Sequence, residues 1–405
     1  MTGHRTPALL GQRPVDHPLS IVSGVCVMVL GSMNFPLMPM IVGAMADHLP
    51  FSVQQVGVIA SADMFGMFAS ALFALYWIRR WSWRAAALFF CVGLVACHGL
   101  SSQLTDFWQL AAARFAAGFC GGSMMAIGST LIADTKHPER NVALLTGVQM
   151  ATAAVGFLVL PAIIESRGAA GVFSFLALLV TPALLAGALI PSAGPWDLGR
   201  NVVTSAESGH LSRSAVLVAL LVTLPGFLFH LGYGASWAFI ERLGVSSGLS
   251  LDTVGQALSA SFLAGVAGSA TAWLLGMKYG RNVPFIVTVI AQLTTLTILA
   301  FLLDGVVVFV SALMVYAFFL NFPIPYQIGL AVSLDTTGRA AVLYLLMLKA
   351  GIAIAPLLAA QFVVGDDYTF PLMLAALFYS ACFAHLIWVQ RRFGRSQVLA
   401  AEGVA

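Results

Sequence analysis

Long apolar runs, separated by short polar breaks, constrain this chain more than any other feature of its sequence. Runs of the ~20 residues needed to cross a bilayer lie near 19–45, 54–78, 84–103, 107–134, 142–164, 169–190, 214–240, 253–277, 283–303, 305–332, 340–364 and 369–390. Sixty per cent of the residues are hydrophobic and nine per cent are charged, against roughly a quarter charged in a soluble domain. A soluble fold of 405 residues could not hide that much apolar surface. The chain reads as a polytopic, all-helical membrane protein.

The basic residues orient it. With both termini on the cytoplasmic side, fifteen lysines and arginines fall in inner segments and only Arg167 and Arg242 in outer loops. An odd number of spans would spoil that positive-inside distribution. The longest polar interruption divides the chain into an N-terminal six-helix bundle over 1–190, a cytoplasmic central loop over 191–213 and a C-terminal six-helix bundle over 214–405. Two such halves suggest the internal duplication common in secondary transporters. Short basic loops at matching places in the halves, Arg79 to Arg84 and Gly276 to Arg281, fit it, and Asn-Phe-Pro recurs at Asn34 and Asn321.

Several functions are disfavoured at once. The five cysteines fall in apolar runs without CxxC or metal-ligand spacing and read as small buried hydrophobes. There is no Walker loop or HExxH, and the GxSxG match Gly244 to Gly248 lies in a short loop between helices. With nearly all the mass in spans, neither an enzyme nor a nucleic-acid partner is expected, and no cofactor or metal. The polar N-terminus lacks the apolar stretch of a removable signal peptide.

What remains is a handful of polar side chains in hydrocarbon. Asp63 is the only carboxylate lying well within an apolar run, where burial costs at least ~2.5 kcal/mol. At ~1.5 Å of rise per residue, Asp63 lies ~13 Å and Arg114 ~10 Å from the outer ends of spans 2 and 4. An acid and a base at one level in neighbouring helices are expected to pair. The pair reads either as a proton-sensitive switch, releasing Arg114 when Asp63 is protonated, or as a permanent pin between the two spans. Lys349 sits about nine residues into span 11, too deep to snorkel comfortably. Two buried bases against one acid favour a substrate carrying a carboxylate; the alternative is a neutral lysine.

In span 7, glycines 226, 232 and 234 interrupt the helix, and His230, Tyr233 and Trp237 share one face. That stripe suits packing as well as recognition, and His230 is a candidate second proton carrier. Glu241 and Arg242 at the outer end suggest an interface pair or gate. Span 10 offers Asn321, Tyr326 and Gln327 around two prolines, which free backbone carbonyls and are tolerable only beside protein or a watery cavity. Asn34 and Gln149 are further candidate donors to a substrate.

These features together resemble the major facilitator superfamily over essentially the whole chain. Span 4 is similar to its R-x-x-x-G-x-x-G pattern through Arg114, Gly118 and Gly121, and the following loop keeps Asp134, Pro138 and Arg140. The second basic loop keeps Lys278, Gly280 and Arg281, with Met277 where the family has an acid. Gly147, Gly156 and Pro161 match part of an antiporter pattern, while Leu160, Ile164 and Glu165 depart from it. The resemblance implies twelve transmembrane helices in two pseudo-symmetric bundles, with spans 1, 4, 7 and 10 lining a central cavity. It puts the span 7 face on the substrate and spans 3 and 12 on the periphery, so that His98 and His385 read as structural. The expectation is a monomeric, proton-coupled transporter of a small organic solute, a carboxylate favoured, in a bacterial inner membrane. A proton-antiport exporter of hydrophobic drugs is the alternative; a non-transporting sensor or a lipid-handling protein would be a different class.

Overall fold

A computed structural model describes residues 14–191, 213–334 and 339–402. Most of the expected central loop and the inner-side residues Arg5, Arg13 and Arg200 lie outside the described residues. Helices account for nearly all of the rest: α1 (Pro18–Ser32), α2 (Met38–His48), α3 (Val53–Trp77), α4 (Trp83–Ser101), α5 (Phe107–Ala133), α6 (Pro138–Val180), α7 (Pro182–Leu189), α8 (Arg213–Trp237), α9 (Ile240–Ser246), α10 (Leu251–Leu275), α11 (Asn282–Phe301), α12 (Gly305–Asn321), α13 (Ile324–Leu334), α14 (Arg339–Ala360) and α15 (Thr369–Glu402). Nine helical stretches among the described residues are long and apolar enough to cross a membrane. Large apolar side chains such as Trp108, Trp273 and Val307 lie on the outside, where lipid and not water suits them. This is an integral membrane protein.

The helices start and break where the sequence supplies caps and prolines. Ser52 caps α3 by accepting from the Gln55 N–H, and the Gln55 side chain returns the bond to Ser52. Asp106 caps α5 and Ser250 caps α10 in the same way through their side chains. The first crossing is split: α1 ends at Ser32 and α2 starts at Met38, with Pro36 in the break and Pro39 in the first turn of α2. Span 10 is split likewise at Phe322 and Pro323. Spans 5 and 6 follow one another directly as two helices parted at Gly168, which takes φ 58, a left-handed conformation glycine adopts at little cost.

Glycines set how closely the helices approach. A Cβ on Gly66 would overlap the Phe115 carbonyl, and one on Gly118 the Asp63 carbonyl, so α3 and α5 touch backbone to backbone. Gly24 and Gly31 of α1 meet α5 in the same way at Gly128 and Gly121. The Gly118 and Gly121 positions of the span 4 pattern therefore serve two different neighbours.

The α1–α7 bundle meets the α8–α15 bundle most tightly at one end. There the Gln54 amide donates to the Ala360 and Val363 carbonyls (both 3.3 Å), and Ser61 Oγ accepts from the Leu357 N–H (2.8 Å). Arg242 of α9 reaches Asp47 of α2 at 2.5 Å. Glu241 packs against Gly43, buried, with its Oε2 unpartnered among the described residues. Arg242 thus pairs across the bundles and not with its neighbour. That end is shut.

Candidate functional site

A cavity of about 200 Å³ lies between the bundles. The break after α1 turns Phe35 into it, α8 contributes His230, Tyr233 and Trp237, and α6, α10 and α12 contribute Gln149, Ser261, Phe262, Tyr316 and Asn321. Its wall includes an aromatic chain that crosses from one bundle to the other. Phe35 meets Tyr233 edge-on at 5.4 Å, Tyr233 meets Trp237 at 5.7 Å, and Trp237 meets Phe262 at 5.9 Å. Among the described residues, no lysine, arginine, aspartate or glutamate lines the cavity.

Beside it sits a buried charge cluster. Asp63 and Arg114 form an ion pair, Oδ2 to Nη2, with both residues less than 5 % exposed. Asn34 donates to Asp63 Oδ1 at 3.1 Å. Arg114 Nη1 lies 2.9 Å from His98 Nδ1, and Phe173 lies under its guanidinium at 5.1 Å. Arginine has only donors to offer, so His98 Nδ1 must accept and its hydrogen must sit on Nε2. Nε2 is buried without a partner among the described residues. His98 is therefore neutral as long as it holds Arg114, and Asp63 supplies the negative charge of the cluster.

The two sites touch through the chain itself. Asn34 and Phe35 are consecutive residues in the break between α1 and α2: one holds Asp63, the other faces the cavity.

Of the expected substrate-binding residues, Gln149, His230, Tyr233, Trp237 and Asn321 line the cavity. Arg114 and Asn34 are occupied by Asp63. Tyr326 is buried against the Ala272 carbonyl, and Gln327 accepts from the Tyr344 hydroxyl at 2.9 Å. Lys349 is half-buried between α14 and α5, 3.7 Å from Met125 Sδ, and no carboxylate among the described residues reaches it. His98, read from the sequence as peripheral and structural, holds Arg114. Ser261 and Tyr316 were not foreseen; a serine and a tyrosine in apolar helices carry no pattern that marks them. Just past the C-terminal ends of α3 and α5, Arg79 grips Asp134 through both its amine groups (2.6 and 3.1 Å), a bidentate pair joining two motif positions.

Two helical bundles in a membrane, sealed together at one end around a solute-sized cavity, describe a membrane transporter. The chain belongs to the major facilitator superfamily, whose profile matches residues 21–356; it is a secondary transporter and not an enzyme. No curated protein sequence matches it. Among solved structures, the nucleoside transporter NupG superposes with a TM-score of 0.72 at 12 % identity, over 92 % of this chain and 99 % of that one. The D-xylose-proton symporter superposes with a TM-score of 0.69 at 14 % identity, over 90 % and 97 %. At these identities the likeness is one of fold.

Proposed function

We propose that this protein is a proton-coupled transporter that moves a small organic solute by alternating access. Its termini lie in the cytoplasm of a bacterial cell and its sealed end faces outward, as the basic residues favour. The carrying observation is the Asn34–Asp63–Arg114–His98 cluster, with Asn34 next in the chain to the cavity residue Phe35. Protonation of Asp63 removes the charge that opposes Arg114 and weakens the hold on Asn34, shifting the break between α1 and α2. A two-state protein responds to a proton by as much as the proton's affinity differs between the states.

Ser61, buried behind the Gln54 clasp, reports the state of the sealed end. In a background without the native cysteines, labelling of Ser61→Cys by a membrane-impermeant thiol reagent is expected to differ between acid and alkaline pH. Adding Asp63→Asn should fix labelling at the acid value throughout. An unchanged pH dependence in the Asp63→Asn protein would rule out coupling at Asp63.

A second reading, a carboxylate substrate, is favoured by Lys349, half-buried and without a carboxylate partner. Its other support has gone: Arg114 is matched by Asp63 and lies off the cavity wall.

A further inference from the structure

The polar groups of the cavity wall are committed unevenly. His230 Nδ1 lies 2.9 Å from the Gly226 carbonyl, an acceptor, so Nδ1 carries the hydrogen and Nε2 is left as a lone pair. No protein group among the described residues partners Nε2, although His230 is otherwise buried. Ser261 gives its only hydrogen to the Leu258 carbonyl (2.7 Å). Ser236 gives its own to carbonyls of its helix, so the Tyr316 hydroxyl 2.6 Å away must donate to it.

The two amides are tethered by nitrogen. Asn321 Nδ2 donates to the Ala317 carbonyl (3.1 Å). Gln149 Nε2 donates to Ser32 Oγ (2.8 Å), whose own hydrogen goes to the Val29 carbonyl. Both orientations are thus set by partners that can only accept, and both amide oxygens have no partner among the described residues. The wall keeps as donors the second amide hydrogens and the Tyr233 hydroxyl; Trp237 Nε1 is buried and unpartnered. Facing them are three free acceptors, Gln149 Oε1, Asn321 Oδ1 and His230 Nε2, and among the described residues no charged side chain lines the wall.

We propose that the cavity selects a neutral or cationic solute that donates hydrogen bonds through hydroxyl or amine groups, and rejects carboxylates. Gln149 Oε1, Asn321 Oδ1 and His230 Nε2 accept from it, and the Phe35–Tyr233–Trp237–Phe262 chain takes its flat or C–H face. An anion would meet a few neutral donors but no counter-charge, and a desolvated charge without a charged partner is expensive. An ammonium would meet acceptors and π faces, both favourable. This substrate class rests on the transport reading of the same cavity.

The test uses matched probes on the purified full chain: tyramine, tyrosol and 4-hydroxyphenylacetate share one body, and glucosamine, glucose and glucuronate another. Within at least one trio, thermal-shift titration is expected to show the amine or alcohol binding at least tenfold tighter than the acid. Gln149→Met should weaken that ligand about tenfold, and Gln149→Glu should restore or exceed wild-type affinity for the amine, a recovery that a merely structural Gln149 would not give. Preference for the acid, lost in Lys349→Ala, would overturn the proposal in favour of the carboxylate reading. Failure of every probe to bind, or equal binding within both trios, would overturn it too. If the alcohol or amine binds as expected but shows no counterflow in proteoliposomes, the transport reading fails and the binding class stands.

Discussion

Arg114→Leu is expected to damage the protein far more than Asp63→Asn, although the two residues form one ion pair. Removing Arg114 leaves the Asp63 carboxylate buried with only Asn34 to support it; breaking a buried pair from one side costs ~3–5 kcal/mol. If Asp63 gains a proton during transport, the folded protein already visits a state in which Arg114 faces a neutral partner. Asp63→Asn imitates that state, in which His98 Nδ1 and the Phe173 ring still hold the guanidinium. Its expected cost is therefore nearer the ~1 kcal/mol of a hydrogen bond. A permanent pin would make the two substitutions comparable. Thermal unfolding in detergent, followed through the reaction of buried Cys91 and Cys382 with a thiol dye, separates the cases: a large fall for Arg114→Leu alone supports the switch, and equal falls support the pin.

The second large effect belongs to a glycine. Gly118→Val should lower stability by ~3 kcal/mol or more, at the upper end of overpacking costs. A Cβ at this position overlaps the Asp63 carbonyl oxygen and comes within 2.8 Å of its carboxylate oxygen Oδ1. A neighbouring backbone cannot rotate aside as a side chain does, so α3 and α5 must separate and the ion pair between them must stretch. The same unfolding measurement reads the loss. Gly147→Val is the control, since a Cβ there meets nothing, and it should unfold close to wild type. Equal behaviour of the two variants would show that the α3–α5 approach is looser than the glycine implies.

Much of this architecture was visible in the residues. Apolar runs of bilayer length specify a bundle of membrane-spanning helices, because the solvent leaves few alternatives. The pairing of Asp63 with Arg114 followed from depth alone, since helical rise converts sequence distance into height. Height says nothing of azimuth, and the reading ran out there. Asn34 and Phe35 are neighbours in the chain, yet the break between α1 and α2 sends one to the acid and the other to the cavity. Tyr326 and Gln327 share span 10 with Asn321 but follow its break, and they pack elsewhere. His98 was placed by analogy with peripheral helices, whereas an apolar span bearing a histidine at the level of a buried arginine was itself a signal. Spans 5 and 6, read as two from the sequence, are two helices parted by a single non-helical residue, Gly168.

Isotope-edited infrared spectroscopy of Asp63 during a pH titration would test the central claim most directly. A difference spectrum between wild type and Asp63→Asn isolates this carboxyl group from the other acids, Glu241 among them. The account predicts a protonated-carboxyl C=O band that appears reversibly as pH falls through the range in which the protein works, and is absent from the variant. A carboxylate that stays ionised beside Arg114 at every pH the fold survives would contradict it, and would leave the pair as a pin between α3 and α5.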